Sequence, residues 1–139
     1  MSENKMPTRG IAVDGYCKGN PGPGGYRIVN IETGEIIYEW HSGYDITNNI
    51  AEFLGLAHAL GLVKKGKASG IIYTDSEIAM AWVKAKSATT KFDTSNNELL
   101  AQRIWKCECF LAEQKMPLMY KKWETKNWGE VPADFGNKK

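Results

Sequence analysis

Two aspartates stand at the ends of short apolar segments of the chain. Asp14 comes directly after residues 11–13 (IAV), and Asp75 closely follows residues 71–73 (IIY). Segments that are apolar at consecutive positions are typical of strands buried on both faces of a sheet. Ligands of open α/β sheets bind at the carboxyl ends of the central parallel strands, so we expect both carboxylates at one functional edge. Carboxylate oxygens there could hold a hard divalent cation.

The composition argues against several other kinds of site. The three cysteines have spacings that fit neither a zinc site nor a disulfide framework, and the only histidines are His41 and His58. The chain has enough serine, histidine and aspartate residues for a Ser-His-Asp triad, but no GxSxG motif indicates a nucleophilic serine. Cys107 falls on the apolar stripe of a predicted helix, and we interpret it as a packing residue. Any metal is therefore expected to be held by carboxylate oxygens.

Length and charge describe an ordinary domain with an uneven surface. The 139 residues, 42% of them hydrophobic, predict a single domain over 1–139 with its own core. No apolar run approaches the roughly 20 residues that span a bilayer, and the polar start does not resemble a signal peptide, so we expect a cytoplasmic protein. The net charge is only +2, but residues 64–91 carry six lysines and two acids. This stretch is either a solvated lysine-rich surface, the commoner case, or a contact for a polyanion.

Apolar periodicity predicts the elements that position the acids. The predicted strands are 11–13, 26–31, 35–42, 71–73 and 118–123; the predicted helices are 49–63, 76–86 and 96–114, with one helical turn after Val131. The first three strands form an antiparallel meander, and GNPGPGG at 19–25 is expected to be a turn. The helix at 49–63 supplies the crossover that a strand parallel to the first requires. The predicted fold is α/β: a mixed five-stranded sheet, with a three-strand antiparallel meander plus two parallel strands, flanked by helices.

Each polar motif also has an ordinary structural explanation. Glu52 stands three residues after Asn49, the spacing of a capping box. Asp75 and the serine after it precede a helix, as N-cap residues do. Asp14 could serve a turn, and Asp134 could be an acid in a first helical turn. Taken singly, each motif favours the structural explanation.

Taken together, the motifs resemble type 1 ribonuclease H, the endonuclease family that cuts the RNA strand of RNA–DNA hybrids. In chain order they are DGY at 14–16, GNPGPGG at 19–25, TNNIAE at 47–52, YTDS at 73–76 and PAD at 132–134. The resemblance covers roughly residues 10–137 and implies a ribonuclease H-like fold. It maps the family's four acids, as catalytic residues and metal ligands, onto Asp14, Glu52, Asp75 and Asp134.

The resemblance further implies two-metal-ion phosphodiester cleavage. Two divalent ions about 3.5–4 Å apart can stabilise the attacking and leaving oxygens on opposite sides of phosphorus. Mg²⁺ is the expected cofactor, with two ions per site once substrate is bound, and Mn²⁺ is a possible substitute. Asp14 would bridge both ions, Glu52 and Asp75 would complete one, and Asp134 the other. The products would carry 5′-phosphate and 3′-hydroxyl ends.

The same resemblance implies how the hybrid would be recognised. Asn20, Asn48 and Asn49 match residues that contact the minor groove, where 2′-hydroxyls distinguish RNA from DNA. Thr47 matches a residue that grips a DNA-strand phosphate, for which a hydroxyl suffices. As an alternative, Thr47 and Asn48 are only helix caps. The RNA–DNA hybrid is the expected partner; we expect no membrane association and a monomer.

The chain departs from the family in three places. Residues 124–134 contain no histidine, although many relatives carry one in this loop. Residues 84–96 leave no room for the basic helical handle of many bacterial and animal members. Glu77 follows TDS, where relatives often have an uncharged residue, and it would repel phosphate if it faced the groove.

Two other functions remain open from the sequence. A ribonuclease-H-like module that holds hybrid or RNA without cutting it is the main alternative, although a binder has no need for repelling carboxylates beside phosphates. A nucleotide hydrolase with GNPGPGG as phosphate cradle is weaker, because no Lys-Ser/Thr pair follows the glycines.

Overall fold

The computed structural model describes residues 5–115 and 118–134, and within these ranges the chain forms five strands and four helices. In chain order they are β1 (Ile11–Cys17), β2 (Gly22–Asn30), β3 (Ile36–Ile46), α1 (Asn48–Lys64), β4 (Ile72–Thr74), α2 (Glu77–Ala85), α3 (Glu98–Glu113), β5 (Tyr120–Lys122) and α4 (Thr125–Trp128). None of these helices combines the length and the apolar character needed to cross a bilayer.

The strands form one mixed sheet in the order β3-β2-β1-β4-β5. The β1–β2 and β2–β3 pairs are antiparallel, and the β1–β4 and β4–β5 pairs are parallel. All seven residues of β1 are buried, which agrees with its central place and its apolar sequence. The predicted mixed five-stranded sheet, with a meander and two parallel strands, is therefore confirmed.

Helix α1 packs on the sheet and forms the centre of the core. Ten of its residues are buried, because the helix packs against β1 and β2 of the sheet and also against α2 and α3. Gly55 makes the approach to the sheet possible: a Cβ there would lie 2.8 Å from Val13 Cγ1 and 2.9 Å from Tyr26 Cβ. No side chain larger than hydrogen fits at this crossing without displacing its neighbours.

Three local predictions were wrong. β1 continues to Cys17, because its pairing with β2 extends to Cys17 and Gly24 after the parallel pairing with β4 has ended at Val13 and Thr74. Asp14 therefore lies inside the strand rather than after it. Residues 22–25, expected in a turn, belong to β2; a Cβ on Gly25 would lie 1.9 Å from the Trp40 carbonyl oxygen, so glycine is required by the strand beside it.

The carboxyl-terminal part also differs in detail. Helix α4 at Thr125–Trp128 was not predicted. The predicted helical turn after Val131 does not form within residues 131–134, where residues 132–133 make a simple turn. The rest of the predicted helical turn lies outside the described residues. No helix forms between α2 and α3, where every residue is described, so the expected lack of a helical handle is confirmed.

We expect Gly55→Ala to lower the free energy of unfolding by about 1–2 kcal/mol. Overpacking at the helix–sheet contact costs about 1–3 kcal/mol, which exceeds the gain of up to about 1 kcal/mol from replacing a helical glycine by alanine. Gly61→Ala, in the same helix with no atom within 4 Å of the added Cβ, is the matched control and should stabilise the protein. Urea unfolding measures both; equal stability of the two variants would contradict the packing argument.

Candidate active site

Three carboxylates meet at one edge of the sheet. Asp14, Glu52 and Asp75 each offer an oxygen, and the three oxygens all lie within 4.8 Å of one another. Asp14 is fully buried, Glu52 is 4% exposed, and Asp75 is half-buried. Two oxygens on opposite sides of a cation bound at about 2.1–2.4 Å are about 4.2–4.8 Å apart. The three carboxylates, called here the acid cluster, can therefore share one divalent ion.

The parallel strands bring the two aspartates together. The β1–β4 register pairs Val13 with Thr74, so Asp14 and Asp75 are the next residues along two neighbouring strands. Both side chains emerge where the parallel ladder stops, at the edge that the sequence predicted. The prediction that these acids share an edge is confirmed.

Glu52 reaches the acid cluster from the second turn of α1. Its Oε1 accepts a hydrogen bond from the Gly15 backbone N–H at 3.1 Å. Gly15 permits this contact, because a Cβ at this position would lie 2.9 Å from the Glu52 backbone nitrogen. The helix is capped by Thr47, whose hydroxyl accepts from Ile50 N–H at 3.2 Å, so the capping-box explanation of Glu52 is wrong.

Asp134 lies outside the acid cluster in the described part of the chain. Asp134 is half-buried, and Arg27 Nη1 donates a hydrogen bond to its backbone carbonyl oxygen at 3.4 Å. Arg27 stands opposite Asp14 in the β1–β2 register, which brings Asp134 to the neighbourhood of the aspartate. Val131 and Ala133, 1% and 0% exposed, anchor the preceding segment in a small core with Trp123.

The polar residues expected to contact substrate gather at the start of α1. Asn20 Oδ1 accepts from the Asn48 backbone N–H at 2.8 Å, which ties the loop after β1 to the first turn of the helix. Asn48 and Asn49 are half-buried, and Thr47 serves as the N-cap. Thr47 therefore does cap the helix, whereas Asn48 lines the groove beside Glu52 and Asp75.

Comparison with known proteins decides the family. The ribonuclease H family model matches residues 8–127, which carry the acid cluster. The chain belongs to the ribonuclease H family. Ribonuclease H of Methylobacillus flagellatus is 30% identical over 139 residues, covering 96% of this chain and 89% of that relative. Ribonuclease H of Paracidovorax citrulli is 43% identical over 68 residues, so the match spans 48% of this chain and 44% of that relative.

A solved ribonuclease H shares the architecture. The structure of LC11-RNase H1 in complex with RNA/DNA hybrid superposes with a TM-score of 0.52 at 27% sequence identity, covering 85% of this chain and 87% of that one. The ribonuclease H fold is therefore established for this chain by its sheet order, by the family model and by structural similarity.

The side chain of Lys122 lines the groove beside the acid cluster in this ribonuclease H family member, a position that the sequence did not reveal. The groove has a volume of about 450 Å³ and is lined by Asn48, Glu52, Asp75, Ser76, Glu77, Ile78 and Lys122. The parallel register pairs Lys122 of β5 with Thr74, and this brings its ammonium to the edge where the aspartates lie. The sequence does show a pair of lysines at 121–122. Because successive side chains of a strand point to opposite faces of the sheet, one of the two lysines must lie on each face.

Glu77 does face the groove, and it is paired. Lys122 Nζ donates to Glu77 Oε2 at 2.7 Å, and this hydrogen bond and charge hold the pKa of the Glu77 carboxyl below its usual range. The expected repulsion of phosphate by Glu77 is thus reduced by a neighbouring cation.

Neither histidine lies among the residues that line this groove. His41 Nε2 contacts Glu39 Oε2 at 2.6 Å, and His58 Nδ1 is hydrogen-bonded to the Tyr26 hydroxyl at 2.6 Å.

We expect Mg²⁺ to raise the thermal stability of the wild-type chain, because a cation offsets the repulsion within the acid cluster. At a concentration ten times Kd the stabilisation is about 1.4 kcal/mol. The shift should vanish in Asp14→Asn and persist in Asp45→Asn, an exposed control outside the cluster. Thermal denaturation monitored by circular dichroism measures it, and an equal shift in Asp14→Asn would show that the ion binds elsewhere.

Proposed function

We propose that this chain is an endonuclease that hydrolyses the RNA strand of RNA–DNA hybrids. The observation that carries the proposal is the meeting of three carboxylates, from β1, from α1 and from the residue after β4, within 4.8 Å in a member of the ribonuclease H family. A purely structural role does not require like charges to be buried together, since each repels the others and loses hydration. The hybrid bound to LC11-RNase H1 supports the substrate class.

The donor set fits a hard divalent ion, and we expect Mg²⁺, with Mn²⁺ as a substitute. Asp14, Glu52 and Asp75 would hold one ion, and Asp14 with Asp134 would hold a second once substrate is bound. Bound there, the ions would supply an activated water and stabilise the departing 3′-oxygen, leaving 5′-phosphate and 3′-hydroxyl ends. The buried carboxylates keep their oxygens fixed, since β1 and α1 are the most enclosed elements around them.

The first turn of α1 is the proposed contact for the hybrid. The Thr47 oxygen accepts the capping hydrogen bond, but its O–H can still donate to a phosphate oxygen, so both roles are compatible. Asn20 accepts through Oδ1, and its NH₂ can donate toward the minor groove, together with the amides of Asn48 and Asn49. Glu52 would also accept a hydrogen bond from the 2′-hydroxyl beside the cut.

Lys122 is the proposed contact for a backbone phosphate on the opposite side of the groove. Its side chain is 35% exposed and ends beside Glu77, within reach of solvent and substrate. A single phosphate contact of this kind positions nucleic acid without reading its sequence. A monomer, a single domain over 1–139 and a cytoplasmic location stay predictions.

A module that binds hybrid or RNA without cutting it is the second candidate. The grooves and caps around α1 would serve binding equally well. The complete acid cluster favours cleavage, because these carboxylates weaken the binding of a polyanion unless cations accompany it.

We expect the rate of cleavage of a labelled RNA–DNA hybrid to fall at least about 100-fold in Asp14→Asn and in Asp75→Asn. Each substitution removes a charge from the acid cluster, and the metal ions that the cluster would bind stabilise the transition state by several kcal/mol. Asp134→Asn should be milder and partly rescued by Mn²⁺. Denaturing gels with Mg²⁺, Mn²⁺ or EDTA measure product, with duplex DNA as substrate control and circular dichroism as folding control.

Asp45→Asn is the matched control, since Asp45 is exposed and outside the acid cluster. Wild-type rates in Asp14→Asn or Asp75→Asn would exclude the proposed site. Binding of hybrid by the wild type with no product under any metal would favour the non-cleaving module instead.

We expect Lys122→Ala to raise KM for the hybrid about fivefold, with kcat little changed, because one exposed charge contact contributes about 1 kcal/mol. The slope of log KM against log salt should fall by about one unit. Lys121→Ala, the exposed neighbour in β5, is the matched control and should leave KM unchanged. Glu77→Gln should lower KM, because it removes a negative charge from the groove; equal effects of the two lysine variants would contradict the proposed contact.

A further inference from the structure

A second cavity lies between the sheet and the helices, away from the acid cluster. Its volume is about 760 Å³, and it is bounded by β2 and β3 on one side and by α1 and α3 on the other. It shares no lining residue with the groove beside the acids. At 1.5 Å of rise per residue, its far end at Lys65 is about 20 Å from Glu52 along α1. We call it the aromatic cavity.

Aromatic rings form a large part of its wall. Tyr26, Trp40 and Tyr44 come from the sheet and Phe110 from α3. The Trp40 and Tyr44 rings have centroids 6.3 Å apart and are inclined by 67°, so they present two differently oriented faces. Leu99, 69% exposed, adds apolar surface beside them. Planar rings of a ligand gain stacking energy on such surfaces.

Cations surround the rings. Lys65, Lys67, Arg103 and Lys106 all line the aromatic cavity, and none of its described lining residues is acidic. The three lysines are exposed, whereas the Arg103 guanidinium lies 4.3 Å from the Trp40 ring centre. Burial first, and then the charges of Arg103 and Lys65, lower the pKa of the neighbouring His58. The cavity is therefore positive as well as aromatic, which favours an anion with planar groups.

Nucleotides of a single strand have this combination of properties. Their bases expose flat faces, which a duplex keeps stacked inside, and their phosphates are anionic. A volume of about 760 Å³ lies in the range of sites for drug-sized ligands and would take about one or two nucleotides. An acidic peptide would use the cations but leave the ring faces without a stacking partner.

We propose that the aromatic cavity binds a single-stranded segment of nucleic acid, with bases against Tyr44 and the stacked pair of Trp40 and Arg103, and with phosphates on Lys65 and Lys106. This site is distinct from the groove at the acid cluster and does not depend on hybrid cleavage. It would hold an unpaired strand while the acid cluster remains open to a duplex.

Fluorescence anisotropy with a labelled oligonucleotide of ten thymidines, in EDTA, tests the proposal. The variant is Lys65→Glu/Lys106→Glu, in which both replaced side chains are exposed and folding should persist. We expect affinity to fall at least tenfold. The matched control Lys5→Glu/Lys121→Glu makes the same change of charge at exposed positions outside the cavity and should bind within twofold of the wild type.

Three competitors identify the occupant. An abasic oligonucleotide of the same length should bind at least tenfold more weakly than the thymidine oligonucleotide, because it lacks stacking bases. Thymidine monophosphate should compete only at much higher concentration, and polyglutamate should compete poorly. Wild-type affinity in Lys65→Glu/Lys106→Glu, or equally tight binding of any of the three competitors, would overturn the proposal.

Cleavage of a blunt-ended hybrid is followed in parallel. Lys65→Glu/Lys106→Glu should cut it at the wild-type rate, since the substituted residues lie outside the acid groove. An inactive wild type would count against the proposed nuclease function and leave the single-strand measurement intact. Loss of blunt-hybrid cleavage in this folded variant would show that the cavity belongs to the hybrid site and would overturn its separate role.

Discussion

The contact between α1 and the central strand β1 is the constraint on which the rest of the structure depends. Gly15 and Gly55 allow the helix to lie so close to the sheet that a methyl group at either position would meet atoms about 2.8–2.9 Å away. This approach carries Glu52 to the end of β1, beside Asp14. The same contact buries most of α1, so the packing that stabilises the fold is also what assembles the acid cluster.

Burial of like charges opposes that packing. Asp14 and Glu52 are almost inaccessible, although each carboxylate loses hydration and repels the other. The surrounding core, with buried residues from β1, α1 and α2, supplies the hydrophobic stabilisation that keeps the acids together. A cation shared by the acids would relieve the repulsion, so we expect the stability of the chain to increase when a cation binds at this edge of the sheet.

Two surfaces with different character lie along α1. At its amino-terminal end, polar caps and the pair of Glu77 and Lys122 frame a groove that contains carboxylates. Toward its carboxyl-terminal end, rings and cations frame a cavity whose described lining contains no acid. A groove with acids accepts a polyanion together with cations, whereas the aromatic cavity can hold an anion directly. The helix thus separates a site suited to metal-assisted chemistry from a site suited to binding alone.

Much of the architecture was predictable from the sequence, because apolar periodicity and turn residues are local signals. The mixed sheet, the crossover helix and the shared edge of Asp14 and Asp75 all followed from two short apolar segments typical of central strands and from the crossover that a parallel pair requires. The glycines at 22–25 were assigned to a turn because a local pattern does not show that a neighbouring strand passes too close for a side chain. Helix α4 is only four residues long, too short for periodicity to reveal.

The sequence by itself determined which acids are available and which strands carry two of them to one edge. Only the tertiary structure decided that Glu52 turns to Gly15 rather than to its own helix start, that Asp134 is held by Arg27, and that Lys122 meets Glu77. These contacts join residues 37, 107 and 45 positions apart. Their geometry depends on strand register and on how closely a helix approaches a sheet, and neither quantity is encoded in a local pattern of residues.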